Sequence, residues 1–175
     1  MNKWDSNFYM LCQTIAVWST CLSRQIGVVI VRDKTIVSTG FNGPPRGIPH
    51  CGPERILVDD SLPAILVEKR FLCPRQACGF KTGQGLEICI ASHAEENAIV
   101  NAARIGVSTL GTTMFMSCGI PCSNCLKKII NAGIVELVCT DVDDWYDEQS
   151  KFLVSQSSLK IRNYLNEEVK CGENK

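Results

Sequence analysis

Two short stretches place the tightest demand on how this chain folds: "SHAEENAIVNAA", Ser92 to Ala103, and "IPCSNC", Ile120 to Cys125. Each stands at the start of a helix. Behind His93, the apolar residues Ala98, Ile99, Ala102 and Ile105 recur at helical spacing until Gly106 stops them. Behind Cys122 and Cys125, "SNCLKKIINAG" reads as a second helix ending at Gly133. Open backbone N–H groups at a helix start favour cysteine as thiolate. A fold that uses these residues together must bring two helix N-termini to one point. Parallel strands joined by helices do that: "TTMFMS", Thr112 to Ser117, and "IVELVCT", Ile134 to Thr140, flank the second helix and predict a right-handed βαβ crossover.

The rest of the chain fits the same class. Phe8, Leu11, Cys12, Ile15, Ala16 and Cys21 predict a first helix from Asp5 to Cys21. "IGVVIV" and "TIVSTGF" flank "RDK" as a β-hairpin, Ile26 to Phe41. "NGPPRGIPHCGPE" is too rich in Gly and Pro for regular structure, and "SLPAILVEKRF" predicts one short helix with Ser61 as N-cap and Pro63 in the first turn. Roughly fifty residues thus separate the hairpin from the next strong element, against a usual loop of about 4–6. The tail predicts a helix near Asp147 to Ser155 and a final strand in "LKIRNYL". Repeats and low-complexity tracts are absent from the sequence. The expected architecture is a three-layer α/β/α sandwich around a mixed sheet. At 175 residues the expected organisation is one domain over 1–175, with an insertion at about 42–92.

"MNKWDSNFYMLCQ" has neither the apolar core nor the cleavage site of a secretory signal, so a cytoplasmic location is expected, and no apolar run predicts a membrane partner. In a reducing compartment eleven cysteines point to metal binding or buried thiols rather than disulfides. Eighteen basic residues balance eighteen acidic ones, and no basic cluster interleaves with aromatics. That argues against a nucleic-acid partner, whose binding requires many phosphates to be neutralised at once.

His93, Cys122 and Cys125 supply one nitrogen and two sulfurs, which leave tetrahedral Zn²⁺ a fourth position for water, as in catalytic rather than structural sites. Glu95 falls beside that position without being a ligand, placed to take the water's proton and pass it on. A closed zinc knot completed by Cys118 is the alternative, but it has no use for Glu95.

His93-Ala94-Glu95 with Pro121-Cys122-Ser123-Asn124-Cys125 matches the signature of the zinc nucleobase deaminases. Together with "GFNGPPRG" after the hairpin, the chain from the first helix to "IVELV" resembles the deoxycytidylate (dCMP) deaminase family. That resemblance implies a cytidine deaminase-like fold, with a five-stranded sheet between helices. The implied activity is zinc-dependent conversion of dCMP to dUMP and ammonia in pyrimidine deoxynucleotide metabolism. It implies a homo-oligomer, often a hexamer, with dCTP and dTTP as effectors and Mg²⁺ accompanying the triphosphate. Glu95 would then serve as proton carrier, the Ala94 N–H would meet the carbonyl oxygen of the base, and Asn42 would hold the sugar 3′-hydroxyl. Arg24 is the phosphate candidate. Asn42 as a turn residue at positive φ and Arg24 as a plain surface charge are the alternatives. The aromatic that relatives carry after the fourth strand can be supplied only by Trp145 or Tyr146, of which Tyr146 is taken as substrate-binding. The regulatory region maps to Gly40, Phe41, Gly43, Arg46 and Arg104, and Phe41 departs from the tyrosine that the family places there.

Some members of that family carry a second, structural zinc. Cys21 and Cys51 occupy the matching positions, Cys73 and Cys89 are chosen to complete the set, and Cys78 and His50 stand in reserve. Such a metal would organise the long insertion. Rival readings are a related zinc deaminase acting on dCTP, cytidine or tRNA adenosine, and a non-catalytic nucleotide-binding zinc protein on the same fold.

Overall fold

In the computed structural model, which describes residues 1–81 and 83–165, five strands form one mixed sheet in the order β2-β1-β3-β4-β5. Strands β1 (Gly27–Arg32) and β2 (Thr35–Phe41) are the expected hairpin, turning through Asp33 and Lys34 at φ 50° and 62°. Those left-handed values match the twist of a two-residue turn to that of its strands. β3 (Thr113–Met116) pairs antiparallel with β1, and β4 (Glu136–Cys139) and β5 (Lys160–Asn163) continue parallel to β3. Helix α6 (Ser123–Asn131) therefore crosses from β3 to β4, and α7 (Glu148–Ser155) from β4 to β5.

Alternation along β1 sorts the core into two layers. Val29 and Val31 face α1 (Lys3–Ala16), where Phe8, Cys12 and Ile15 meet Phe115, Val138 and Tyr164. Val28 and Ile30 face the other helices, where Ala94 and Ala98 of α5 (Ala94–Arg104), Leu126 and Ile129 of α6, and Val154 of α7 pack on Met114, Met116 and Leu137. Two glycines let helices lie against the sheet: a methyl group on Gly27 would run into the Cys12 carbonyl, and one on Gly40 into the Ala94 carbonyl. The second approach holds the start of α5 against β2.

The first helix is shorter than its apolar pattern predicts. It stops at Ala16 because the chain beyond finds other hydrogen bonds: the Ser19 hydroxyl donates to the Asn42 carbonyl at 2.6 Å and accepts the Cys21 N–H at 3.2 Å. Cys21 lies outside the helix as a result. Ile105, assigned to the apolar face of α5, is 68% exposed beyond that helix's end. The insertion holds three one-turn helices rather than one: α2 (Pro53–Ile56), α3 (Ile65–Glu68) and α4 (Pro74–Ala77), followed by a 3-10 turn, Leu86–Ile88. Ser61 caps none of them, since its hydroxyl donates to Asp59. Arg55 is buried and ties α2 to the 3-10 turn, donating to Asp59 at 2.8 Å and to the Ile88 carbonyl at 2.7 Å. Among the described residues no helix is long and apolar enough to cross a membrane.

Candidate active site

His93 is the N-cap residue of α5, Cys122 that of α6, and Cys125 lies in the first turn of α6. The Nδ1 of His93 stands 3.6 Å from the Cys122 sulfur and 3.3 Å from the Cys125 sulfur. A tetrahedral zinc with bonds of about 2.1 Å to nitrogen and 2.3 Å to sulfur sets those ligand atoms about 3.6 Å apart, so the three side chains fit it. Among the described residues these are the one group of three or more potential ligands whose atoms all lie within 4.8 Å of each other. Cys118 is not in the group.

Without a cation the two thiols compete. Hydrogen bonds donated by Cys125 and by His93 hold the Cys122 thiolate down to about 4, against the opposing effect of burial. The same contact with Cys122, together with burial, pushes Cys125 up. One thiolate therefore disfavours the other, and a dication between them removes the conflict. Glu95, one helical position past Ala94, is 4% exposed, and burial raises its carboxyl above the ordinary 4.5. A carboxyl buried in this way binds a proton more readily than an exposed one, as a group that carries a proton must.

His93, Glu95 and Cys122 line the floor of a cavity of about 680 Å³, a size that admits a nucleotide. Asn42, Ala94, Arg24 and Tyr146 all line it. Asn42 is not at positive φ. Its side chain is fixed at both ends, with Oδ1 accepting the Ile26 N–H at 2.8 Å and Nδ2 donating to the Arg24 carbonyl at 2.7 Å. One further N–H and one lone pair remain available. Ala94 is fully buried at the first helical position, where a backbone N–H has no intrahelical acceptor. Of the two aromatics after β4, Trp145 packs against the core and Tyr146 lines the cavity, where burial raises its phenol. Residues of the insertion that motif reasoning passed over also line it, among them Arg75, Phe80, Lys81 and Leu86. No pattern in the sequence marks them, because they arrive from a segment without periodicity.

Adjoining this cavity, with Cys21, Arg75, Cys89 and Ala91 in both linings, is a second space of about 10 Å³, room for a single ion or water. Cys21, Cys51, Cys73 and Cys89 all line it; Cys78 and His50 do not. The four sulfurs are spread more widely than the His93 group. Burial raises the Cys51 thiol, Arg55 opposes that shift, and Cys89 and Cys73 are near enough to add to it. His50 is engaged elsewhere, its Nδ1 2.7 Å from the Thr20 hydroxyl.

The residues assigned to regulation sit at the junction of β2 and α5. Gly40 supports the close approach described above, Phe41 stacks edge-on to Trp18, and Gly43 bridges to Ser92 through two backbone hydrogen bonds. Arg46 donates to the Asn101 side chain on α5 at 2.8 Å, and Arg104 is exposed at the end of that helix.

Comparison with known proteins agrees with this geometry. The family model for the cytidine and deoxycytidylate deaminase zinc-binding region matches residues 2–141. A deoxycytidylate deaminase of Schizosaccharomyces pombe is 30% identical over 164 residues, covering 93% of this chain and 44% of that protein. The chain thus spans less than half the length of that relative. A deaminase of Aliivibrio fischeri, from the luxG 3′ region, is 33% identical over 163 residues, covering 93% of this chain and 84% of that one. Among solved structures, the dCMP deaminase of cyanophage S-TIM5, in complex with dCMP and dUMP, superposes with a TM-score of 0.65 at 19% identity. That match covers 93% of this chain and 98% of the phage protein and bears on the fold alone.

Proposed function

The chain belongs to the cytidine and deoxycytidylate deaminase family, and from that premise we propose that it converts dCMP and water to dUMP and ammonia in pyrimidine deoxynucleotide metabolism. The observation that carries the reading is buried Glu95 beside the His93, Cys122 and Cys125 group, on the floor of a nucleotide-sized cavity. His93, Cys122 and Cys125 would hold the zinc. When bound, zinc lowers the pKa of a water from about 15.7 to about 7.

The chain's own residues do the rest. Glu95 takes one proton of the attacking water on its carboxylate and gives it to N3 of the cytosine as the oxygen bonds to C4; it then takes the second proton from the C4 hydroxyl and gives it to the amine, whose C4–N bond breaks to release ammonia. The Ala94 N–H donates to the carbonyl oxygen of the base. Asn42, held in place by Ile26 and Arg24, turns its remaining N–H to the 3′-hydroxyl. Arg24 faces the phosphate, and Tyr146 packs beside the substrate in the cavity wall.

Two further assignments belong to this reading. Cys21, Cys51, Cys73 and Cys89 hold a second, structural zinc that organises residues 42–92 within a single domain, supported by their shared cavity. Gly40, Phe41, Gly43, Arg46 and Arg104 form a regulatory site for dCTP or dTTP with Mg²⁺, between subunits of a cytoplasmic homo-oligomer of hexameric type. The Arg46 bond to α5 supports the second, since it couples that surface to the helix that begins at His93.

An ultraviolet assay of cytosine loss across deoxycytidine, dCMP, dCTP and their ribose forms tests the reading. It is run with and without dCTP or dTTP plus Mg²⁺. The expected order puts dCMP well above deoxycytidine. Faster turnover of dCTP than of dCMP overturns the substrate assignment.

A further inference from the structure

The insertion between β2 and α5 lines the active-site cavity as well as the cysteine-walled space beside it, and one arginine belongs to both linings. Arg75 follows Pro74 in the first turn of α4, two residues after Cys73, one of the four cysteines around the smaller space. Its Nε–H donates to the Gln84 carbonyl at 2.6 Å and an Nη2–H to the Lys81 carbonyl at 3.2 Å. A guanidinium carries five N–H donors, and the others have no protein acceptor among the described residues. The residues beside those carbonyls, Phe80, Lys81, Gly83 and Leu86, line the cavity. A methyl group on Gly83 would lie 3.6 Å from the Tyr146 hydroxyl, so this wall stands next to the aromatic supplied after β4.

The cavity lining carries charges of both signs. Its floor holds His93, Glu95 and Cys122, while Arg24, Arg75 and Lys81 supply cations to its lining, and both arginines act electrostatically on the Tyr146 phenol. Asp141 and Asp144 line it as well, and the Asp141 carboxylate accepts the Asp143 N–H at 2.8 Å. A nucleotide that brings its exocyclic amine to the floor must leave its phosphate at the far end of the sugar. We propose that Arg75 determines specificity for the substrate's 5′-phosphate, fixing the cavity wall through Lys81 and Gln84 and directing its remaining guanidinium donors, beside Arg24, at the phosphate oxygens. The inference rests on the dCMP deamination reading above. Bonds to two carbonyls orient the guanidinium before substrate arrives, which lowers the entropy lost on binding. The planar fork can serve carbonyls on one edge and phosphate oxygens on another, which a lysine ammonium cannot reproduce.

The test uses the zinc-loaded full chain and the variants Arg75→Ala and Arg75→Lys, with circular dichroism and zinc content confirming that each is folded. Arg75→Ala is expected to raise KM for dCMP about ten- to a hundredfold while kcat changes less than about threefold. Deoxycytidine, which lacks the phosphate, loses several-fold less kcat/KM than dCMP does, so discrimination between the two substrates shrinks. Arg75→Lys recovers only part of it. Equal losses for both substrates would mean that Arg75 merely supports the fold and would overturn the proposal. Calorimetric titration with dUMP and deoxyuridine separates this outcome from failure of the reading itself. A wild-type protein that turns over no cytosine nucleotide sinks the activity, whereas Arg75 is still judged by whether its removal weakens dUMP binding several-fold more than deoxyuridine binding. If either variant folds poorly, the same titration on the other decides, and dUMP binding as tight as in the wild type overturns the proposal.

Discussion

Glu96 on α5 pairs with Lys128 on α6, and the same carboxylate accepts the backbone N–H of His93 at 3.2 Å through its other oxygen. One side chain thus locks the helix that begins at His93 to the helix that begins at Cys122. The ion pair alone is weak, because Lys128 is half exposed and solvent screens it. The leverage lies in position, since both helices present ligand residues at their first turns.

Glu96→Ala is expected to weaken zinc binding at the His93 group about tenfold, in line with other partners that orient ligands, at a stability cost of about 1 kcal/mol. Lys128→Met, which leaves the His93 N–H bond in place, should cost less. Competition against a chromogenic chelator measures both variants, and zinc affinity unchanged in Glu96→Ala would show that packing alone holds the two helices.

Glu95→Ala should keep its fold and its zinc while losing the roughly 10²–10⁴-fold rate that acid–base catalysis supplies. Steady-state turnover of dCMP, together with elemental analysis, checks this. Near-normal turnover in that variant would rule out the assigned proton carrier.

Metal content separates the two cysteine groups. The chain is expected to bind about two zinc ions, with Cys51→Ser losing one and melting at lower temperature, and Cys122→Ser losing the other along with activity. Fully active, folded protein with a single zinc would leave Cys21, Cys51, Cys73 and Cys89 as free thiols.

Asp147 carries a pH signature. It caps α7 by accepting the Ser150 N–H at 2.6 Å and also reaches the Ser123 N–H at the start of α6, at 3.4 Å. Partial burial works against its charge, but these hydrogen bonds prevail and hold the carboxyl below its ordinary 3.8. A depressed folded value means stability that is fully present above 3.8 and is lost as pH falls through the lowered value. Asp147→Asn, which keeps a capping oxygen and removes only the charge, should therefore melt lower than wild type at pH 6, by the equivalent of about 0.3–1 kcal/mol, with the gap closing below pH 3.8. Thermal melts across that range read it directly, and a gap independent of pH would mean that the carboxylate charge plays no part.

Gly40 and Gly43 should differ in their response to alanine. A methyl on Gly40 meets the Ala94 carbonyl and the Ala98 N–H of α5, whereas one on Gly43 meets nothing nearer than the Thr20 hydroxyl at 3.5 Å. Gly40→Ala is expected to cost about 1–3 kcal/mol and to lower activity by displacing the start of α5, while Gly43→Ala remains near wild type in stability. Urea unfolding of both variants is the measurement.

Local pattern was enough to read the hairpin from "IGVVIV" and "TIVSTGF", the helix behind His93 with Gly106 as its stop, and the α6 crossover between two short strands, because strand alternation, helical period and glycine stops act over a few residues. The residue types at two helix starts, His93 with Cys122 and Cys125, likewise point to a shared metal without any distance. What the tertiary structure decided lies where the energy comes from distant partners. Cys21 left its predicted helix because Ser19 found the Asn42 carbonyl, and the buried Asp5 has its charge met by Arg162, 157 residues later, at 2.9 Å. Arg75 shows the same limit most clearly: its chain neighbours form a one-turn helix with no apolar period to read, and only the packing of the insertion carries it to the cavity wall. Sequence fixes the conformations that neighbouring residues choose between themselves, and folding in three dimensions settles which charges and thiols, far apart along the chain, share one cavity.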